Sequence, residues 1–120
     1  MDISAVEGEA LNSVTFVQDY LQLDFDGPRF TFFQWPEVFL EAGSKLPEGS
    51  YAFGDPGYRD VLCSLIEAEV ESTSAEEGVA LEIKFDNGAI VRVSLREEEL
   101  QGPEAGQFFS GEEGDSLVVF

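Results

Sequence analysis

Two stretches of this chain alternate apolar and polar residues with the period of a β-strand. Leu21-Gln22-Leu23-Asp24-Phe25-Asp26-Gly27 is the first, and Leu81-Glu82-Ile83-Lys84-Phe85-Asp86-Asn87-Gly88 is its echo sixty residues later. Each reads apolar-polar-apolar-polar-Phe-Asp and then reaches a glycine, which predicts a half-buried strand running into a hairpin turn. In the second unit a two-residue Asn87-Gly88 turn would set Ile83 opposite Arg92 and mix the two faces. A three-residue loop, Asp86-Asn87-Gly88 with Gly88 left-handed, instead pairs Ile83 with Val91, Leu81 with Val93 and Val79 with Leu95. Glu82 then faces Arg92, an opposite-charge cross-strand pair. This register puts Val79, Leu81, Ile83, Phe85, Val91, Val93 and Leu95 on one buried face.

The first unit is one residue shorter. Its register sets Leu23 against Phe30, Leu21 against Phe32 and Asp24 against Arg29. The loop is either Asp26-Gly27 alone or the four residues 25–28; Pro28 has no N–H to close the tighter turn, and both loops keep the same parity. Residues 13–17 read as a strand leading into this hairpin, and 68–73 play that part before the other. Two related hairpin units, at about 13–35 and 68–95, result. They are either an internal duplication or two independent hairpins with the same pattern.

Between and beyond them the pattern predicts an exposed turn at 72–78, a long irregular connection over 36–57, and a terminal buried strand over 117–120. One amphipathic helix is predicted over 56–66. Asp55 serves as N-cap and Pro56 as first helical residue, while Tyr58, Val61, Leu62, Leu65 and Ile66 form one apolar stripe. Ser94-Leu95-Arg96-Glu97 has capping-box spacing for a short helix through Leu100, stopped by Gly102-Pro103. The fold class that follows is α+β: a mostly antiparallel sheet with the helix packed on it, in a single domain over 1–120.

Charge changes the picture more than length does. Lys and Arg number 6 and Asp and Glu 25, a formal net charge of −19. A surface of that sign opposes binding to nucleic acid and to anionic membranes. Leu, Ile, Val and Phe are nevertheless close to a third of the chain, well above the roughly 20% below which a highly charged chain stays unfolded. With no His and one Cys, a Cys/His zinc site and Ser-His or Cys-His catalytic pairs are excluded within one chain. The first residues show no signal-peptide pattern, and no apolar run approaches the roughly 20 residues of a membrane span. Cys63 has no intrachain partner, which fits a reducing compartment, so the cytoplasm is the expected location.

Candidate chemistry is sparse. Asp24-Phe25-Asp26-Gly27 lacks the downstream ligands of a calcium loop, and 111–115 reads as a solvated turn; no metal or cofactor is expected. The densest segment is 54–60, which joins a Gly-rich loop to Asp55, Tyr58, Arg59 and Asp60. It is either an anion-holding helix start or a structural one, with Asp55 as cap and Tyr58 in the core. Cys63 reads as a small, semi-buried helix residue. Trp35, Phe32, Phe33 and Phe39 are either core or an aromatic anchor inside an acidic rim. Glu97, Glu98 and Glu99 form the densest acidic run, a solvated face or part of such a rim.

The paired hairpins and the 94–104 segment ending Gly-Pro-Glu resemble the small acidic α+β proteins of bacterial genomes, some of which are immunity proteins. That resemblance implies a non-enzymatic protein that neutralises a toxin and carries no catalytic residue. Charge far beyond the magnitude of about 2–8 that solubility requires points the same way, to a basic protein partner bound by Trp35, Asp55, Tyr58, Arg59, Asp60 and Glu97-Glu98-Glu99. The alternatives are a small-ligand or metabolic accessory domain using the 36–60 region, and a carboxylate-dependent hydrolase. A homodimer is compatible with all three.

Overall fold

Apolar alternation demands a partner surface, and the chain satisfies it twice. A computed structural model describes residues 1–41, 48–111 and 117–120. Among them lie, in order, β1 (Ser13–Phe16), β2 (Leu21–Asp24), β3 (Arg29–Phe32), β4 (Glu37–Leu40), β5 (Gly49–Tyr51), α1 (Tyr58–Cys63), β6 (Val70–Glu76), β7 (Ala80–Phe85), β8 (Ile90–Ser94), β9 (Gly106–Phe109) and β10 (Val118–Val119). Single 3-10 turns occupy Ser4–Val6 and Glu97–Glu99. The class is α+β, chiefly antiparallel.

The two hairpins lie in different sheets. One sheet has the order β1-β2-β3-β9-β10 and the other β5-β4-β8-β7-β6. In the first, Leu23 pairs with Phe30, Leu21 with Phe32 and Asp24 with Arg29; the Phe25 N–H donates to the Pro28 carbonyl at 2.8 Å across the 25–28 loop. In the second, Leu81 pairs with Val93, Ile83 with Val91 and Glu82 with Arg92. Its three-residue loop is closed by the Phe85 N–H on the Ala89 carbonyl, with Gly88 at φ 88. A side chain there would be strained by that left-handed backbone. Leu81, Ile83, Phe85, Val91, Val93 and Leu95 are buried. Val79 is only half-buried, because it lies in the turn before β7 begins.

Side chains from both sheets, α1 and the amino-terminal Ile3, Val6 and Leu11 form one buried cluster. Among the described residues no polar or charged residue is buried.

Several sequence expectations are corrected. The helix is shorter than 56–66. Gly57, at φ 86, occupies the N-cap position without a side-chain cap, and the Asp55 carboxylate instead accepts the Ala52 N–H at 2.8 Å. After Cys63 the turns tighten: Leu65 N–H donates to Leu62 and Ile66 N–H to Cys63, both three residues back. The tighter winding keeps Leu65 in the core and turns Ile66 out, 39% exposed. Cys63 itself is exposed. The stretch 72–78 is mostly strand: β6 continues to Glu76 along β7, and the turn is confined to residues 77–79. The 36–57 connection contains β4 and β5, with Val38 buried between Val91 and Tyr51. After Ser94 there is one 3-10 turn in place of a capped helix; the Ser94 hydroxyl accepts the Arg96 N–H rather than that of Glu97.

The carboxy-terminal strand is an edge, not a buried element, with Leu117 and Val119 exposed. Its neighbour β9 escapes sequence reading altogether, yet it places Phe108 opposite Phe30. Of the acidic turn expected at 111–115, all but Gly111 lies outside the described residues.

The fold buries Leu62 of α1 fully within the core cluster that both sheets share. Leu62→Ala is expected to lower stability by about 2–5 kcal/mol in denaturant unfolding. A loss below about 0.5 kcal/mol, the range of surface substitutions, would contradict that packing.

Candidate functional site

Leaving β3 at Phe32, the chain must pass from one sheet to the other before β4 begins at Glu37. The four residues of that passage, Phe33-Gln34-Trp35-Pro36, are pinned from both sides. The N–H groups of Phe33 and Gln34 share the Ala105 carbonyl, at 2.8 and 2.9 Å. From the other side the Tyr58 hydroxyl donates to the Pro36 carbonyl at 2.5 Å. Tyr58 is 3% exposed, and burial raises its phenol pKa above the ordinary range.

Trp35, held on this passage, is the middle of an aromatic stack. Phe53 from the β5–α1 loop lies 4.3 Å from it, centroid to centroid, with planes 22° apart. Phe16 of β1 lies on Trp35 at 6.5 Å and 13°, and the Tyr58 ring meets Phe53 edge-on at 6.0 Å. The Arg59 guanidinium sits 5.9 Å from the Phe16 ring centre, a cation–π arrangement. Trp35 and Phe33 are half-buried, while Phe53 is 53% exposed.

Three adjoining clefts share these rings. A cleft of about 440 Å³ lies beside Trp35 and Phe53 and contains Asp19, Gln34 and Glu104. A second, about 390 Å³, runs from Phe53 through Asp55 to Tyr58, Arg59 and Asp60. A third, about 300 Å³, joins Trp35 and Gln34 to Glu37, Arg92, Arg96 and Glu99. The structure therefore brings Trp35, Asp55, Tyr58, Arg59, Asp60 and Glu99 around one aromatic centre. Glu97 and Glu98 are exposed on the same 3-10 turn as Glu99 but line none of the three clefts. Of the other aromatics, Phe32 is core and Phe39 is half-buried on β4.

Sequence reading missed Phe16, Phe53, Gln34, Asp19 and Glu104. An aromatic next to a Gly-Asp-Pro-Gly turn was the available signal for Phe53, since a loop tip rarely buries its side chains. Gln34 carried no signal at all. Its Oε1 is buried and accepts no hydrogen bond from the described residues, a condition few native polar atoms tolerate.

Among the described residues there are two ion pairs, Asp24 with Arg29 at 3.1 Å and Glu82 with Arg92, so most carboxylates keep their charge available to solvent or to a partner. No group of three or more acidic or cysteine side chains among the described residues is placed to hold a metal ion. No described helix is long and apolar enough to cross a membrane. No protein-family model, curated protein or solved structure matches the chain.

The Tyr58 hydrogen bond makes a pH-dependent contribution whose sign follows from its raised pKa. In the unfolded chain the phenol ionises near pH 10, while the folded state holds it neutral. Its stabilisation is therefore complete below about pH 10 and is lost as the pH climbs through the folded value. Tyr58→Phe is expected to cost roughly 1–3 kcal/mol at neutral pH by orphaning the Pro36 carbonyl. It should also flatten the alkaline decline, as read from urea unfolding across a pH series.

Proposed function

We propose that this protein binds and masks a basic protein surface, without chemical turnover, through the aromatic centre at Trp35 and Phe53 and its surrounding carboxylates. The observation that carries the reading is Phe53, half exposed and stacked on Trp35 among Asp19, Asp55, Asp60 and Glu104. An aromatic anchor in a polar rim is the usual anatomy of a binding hot spot. The net charge of −19 adds a long-range field that draws in a cationic partner and repels nucleic acid. The resemblance to immunity-type proteins supports the same reading, and the unpaired, exposed Cys63 fits action in the cytoplasm.

The two hairpins, each the end of a three-stranded meander (β1-β2-β3 and β6-β7-β8), are in this reading related units, one contributed to each sheet. The passage between the sheets then lies at the binding centre.

A small-ligand role for the 36–60 region draws on the cleft beside Arg59. Its polar groups are already engaged, however: the Tyr58 hydroxyl on Pro36 and the Arg59 guanidinium over Phe16. A protein surface is the better fit.

Steering by exposed charge is screened beyond about 8 Å at physiological salt. The association rate with the native partner should therefore fall steeply as salt rises, while dissociation, governed by the desolvated aromatic centre, changes little. Phe53→Ala is expected to raise the dissociation rate, and joint neutralisation of Glu97, Glu98 and Glu99 to slow association. Equal affinity for the native partner and a size-matched basic control would overturn the reading.

A further inference from the structure

We infer that the open edge of β10 accepts an extended segment of the partner as a further strand, a short apolar run flanked by lysine or arginine. This rests on the proposal that the partner is a basic protein, and it names a second contact for that partner beside the aromatic centre.

The edge carries unmade backbone hydrogen bonds. Phe120 and Gly106 exchange both of theirs, the Phe120 N–H donating to the Gly106 carbonyl at 3.0 Å and the Gly106 N–H to the Phe120 carbonyl at 3.2 Å. Antiparallel pairing alternates, so Val119, opposite Gln107, turns its N–H and C=O away from β9. Neither group has a partner among the described residues. The side chains there are bare as well. Of the six large apolar residues exposed among the described ones, Phe109 at 40%, Leu117 at 48% and Val119 at 52% lie on these two adjacent strands. Sheet edges are ordinarily guarded by charge, proline or a bulge. Residues 117–120 contain no charged residue and no proline.

The choice of occupant follows from area and charge. Three half-exposed side chains fall far short of the roughly 800 Å² per partner of a stable interface, and a second copy would bring another −19 charges. A strand belonging to a partner already held nearby needs no such area, because its second contact is made within one complex. The aromatic centre is near enough. Val119 pairs with Gln107, whose amide donates to Glu104 Oε1 at 3.2 Å, and Glu104 lines the cleft beside Trp35 and Phe53. Val118 and Phe120 pack against the core cluster, while Leu117 and Val119 are exposed. An added strand therefore meets apolar neighbours on both faces and is itself apolar on both. Its charges belong at its ends, where the field of this chain favours cations. Backbone bonds then supply affinity, and the flanking charges supply specificity.

The probe is the peptide acetyl-Lys-Val-Val-Val-Lys-amide, read by the backbone amide signals of Leu117 and Val119 in NMR. Saturable shifts and slowed hydrogen exchange at Val119 are expected. Methylating the three valine nitrogens should weaken binding about tenfold, the scale of two backbone hydrogen bonds. Glutamate in place of both lysines should also weaken it, by a factor that shrinks as salt rises. Val119→Pro should abolish the response at Leu117 and leave the unfolding midpoint unchanged, since proline is tolerated where an edge N–H faces solvent.

Equal binding of the methylated peptide, or of the glutamate peptide at low salt, would overturn the inference, and so would undiminished binding to Val119→Pro. If that variant fails to fold, the comparison of peptides on the unaltered chain decides alone. A dimer in sedimentation that Val119→Pro abolishes would assign the edge to a second copy and overturn it too. Failure of the peptide test while a native basic partner still binds above the size-matched control would remove the strand site and leave the proposed function standing. Peptide binding without such a partner would leave the strand acceptor and remove the reading on which its partner rests.

Discussion

Phe25 directly follows the first hairpin's inbound strand and Phe85 ends the second's, and their rings stack at 6.4 Å where the two sheets meet. From Phe25 the contact continues edge-on to Phe30 and then across Phe32 and Phe108. All of these rings are buried. A chain with this much surface charge gains little net cohesion from the two ion pairs among its described residues, since like charges dominate its exterior. Cohesion has to come from apolar area, and a fully buried Phe contributes about 1.5–3 kcal/mol. The hairpin registers depend on the same rings, because a slip of one residue would turn each of them outward.

Joining two sheets through one seam fixes where the chain must cross between them. The chain makes that crossing twice, after β3 and again after β8; the first is only four residues long, and its backbone is held by Ala105 on one side and by Tyr58 on the other. Trp35 is thus positioned by bonds that have no other evident task, and Phe53 is laid over it by a loop with left-handed glycines at 54 and 57. A rigid platform loses little side-chain entropy on binding. An exposed aromatic that the fold already immobilises therefore serves as an anchor better than a free one.

Legibility in the sequence followed how local each determinant is. The hairpin registers could be read because alternation, an opposite-charge pair and a left-handed glycine all favour one pairing. The Tyr58–Leu65 stripe was readable for the same reason, but its cap was not: Asp55 satisfies an N–H three residues back in the loop, a choice made by Gly54 and Gly57. Strands β4 and β9 were opaque because each is short and is defined by distant partners, Val91 for Val38 and Phe30 for Phe108. Six of the eight predicted site residues do converge. Their convergence rests on Phe53 and Gln34, whose roles come from tertiary placement alone.

β6, the longest strand of its sheet, lies at the edge opposite β5, with a register shift at Glu71. Glu71 and Glu76 are both exposed along it. An open edge is a template for another chain's backbone, and bulges and charges are the ordinary protection against such pairing. Here residues 7–10 cover the start of the edge, their backbone bonding Val70 and the Glu7 carboxylate accepting the Thr73 N–H; beyond that cover the guard is carboxylate, and the net charge behind it shrinks as the pH falls toward the sequence pI of about 4.1. Net repulsion between molecules vanishes near that pH, and the edge is left with its bulge and its amino-terminal cover as barriers to strand-to-strand aggregation. The acidity that the proposed recognition would draw on is also what keeps the molecules apart.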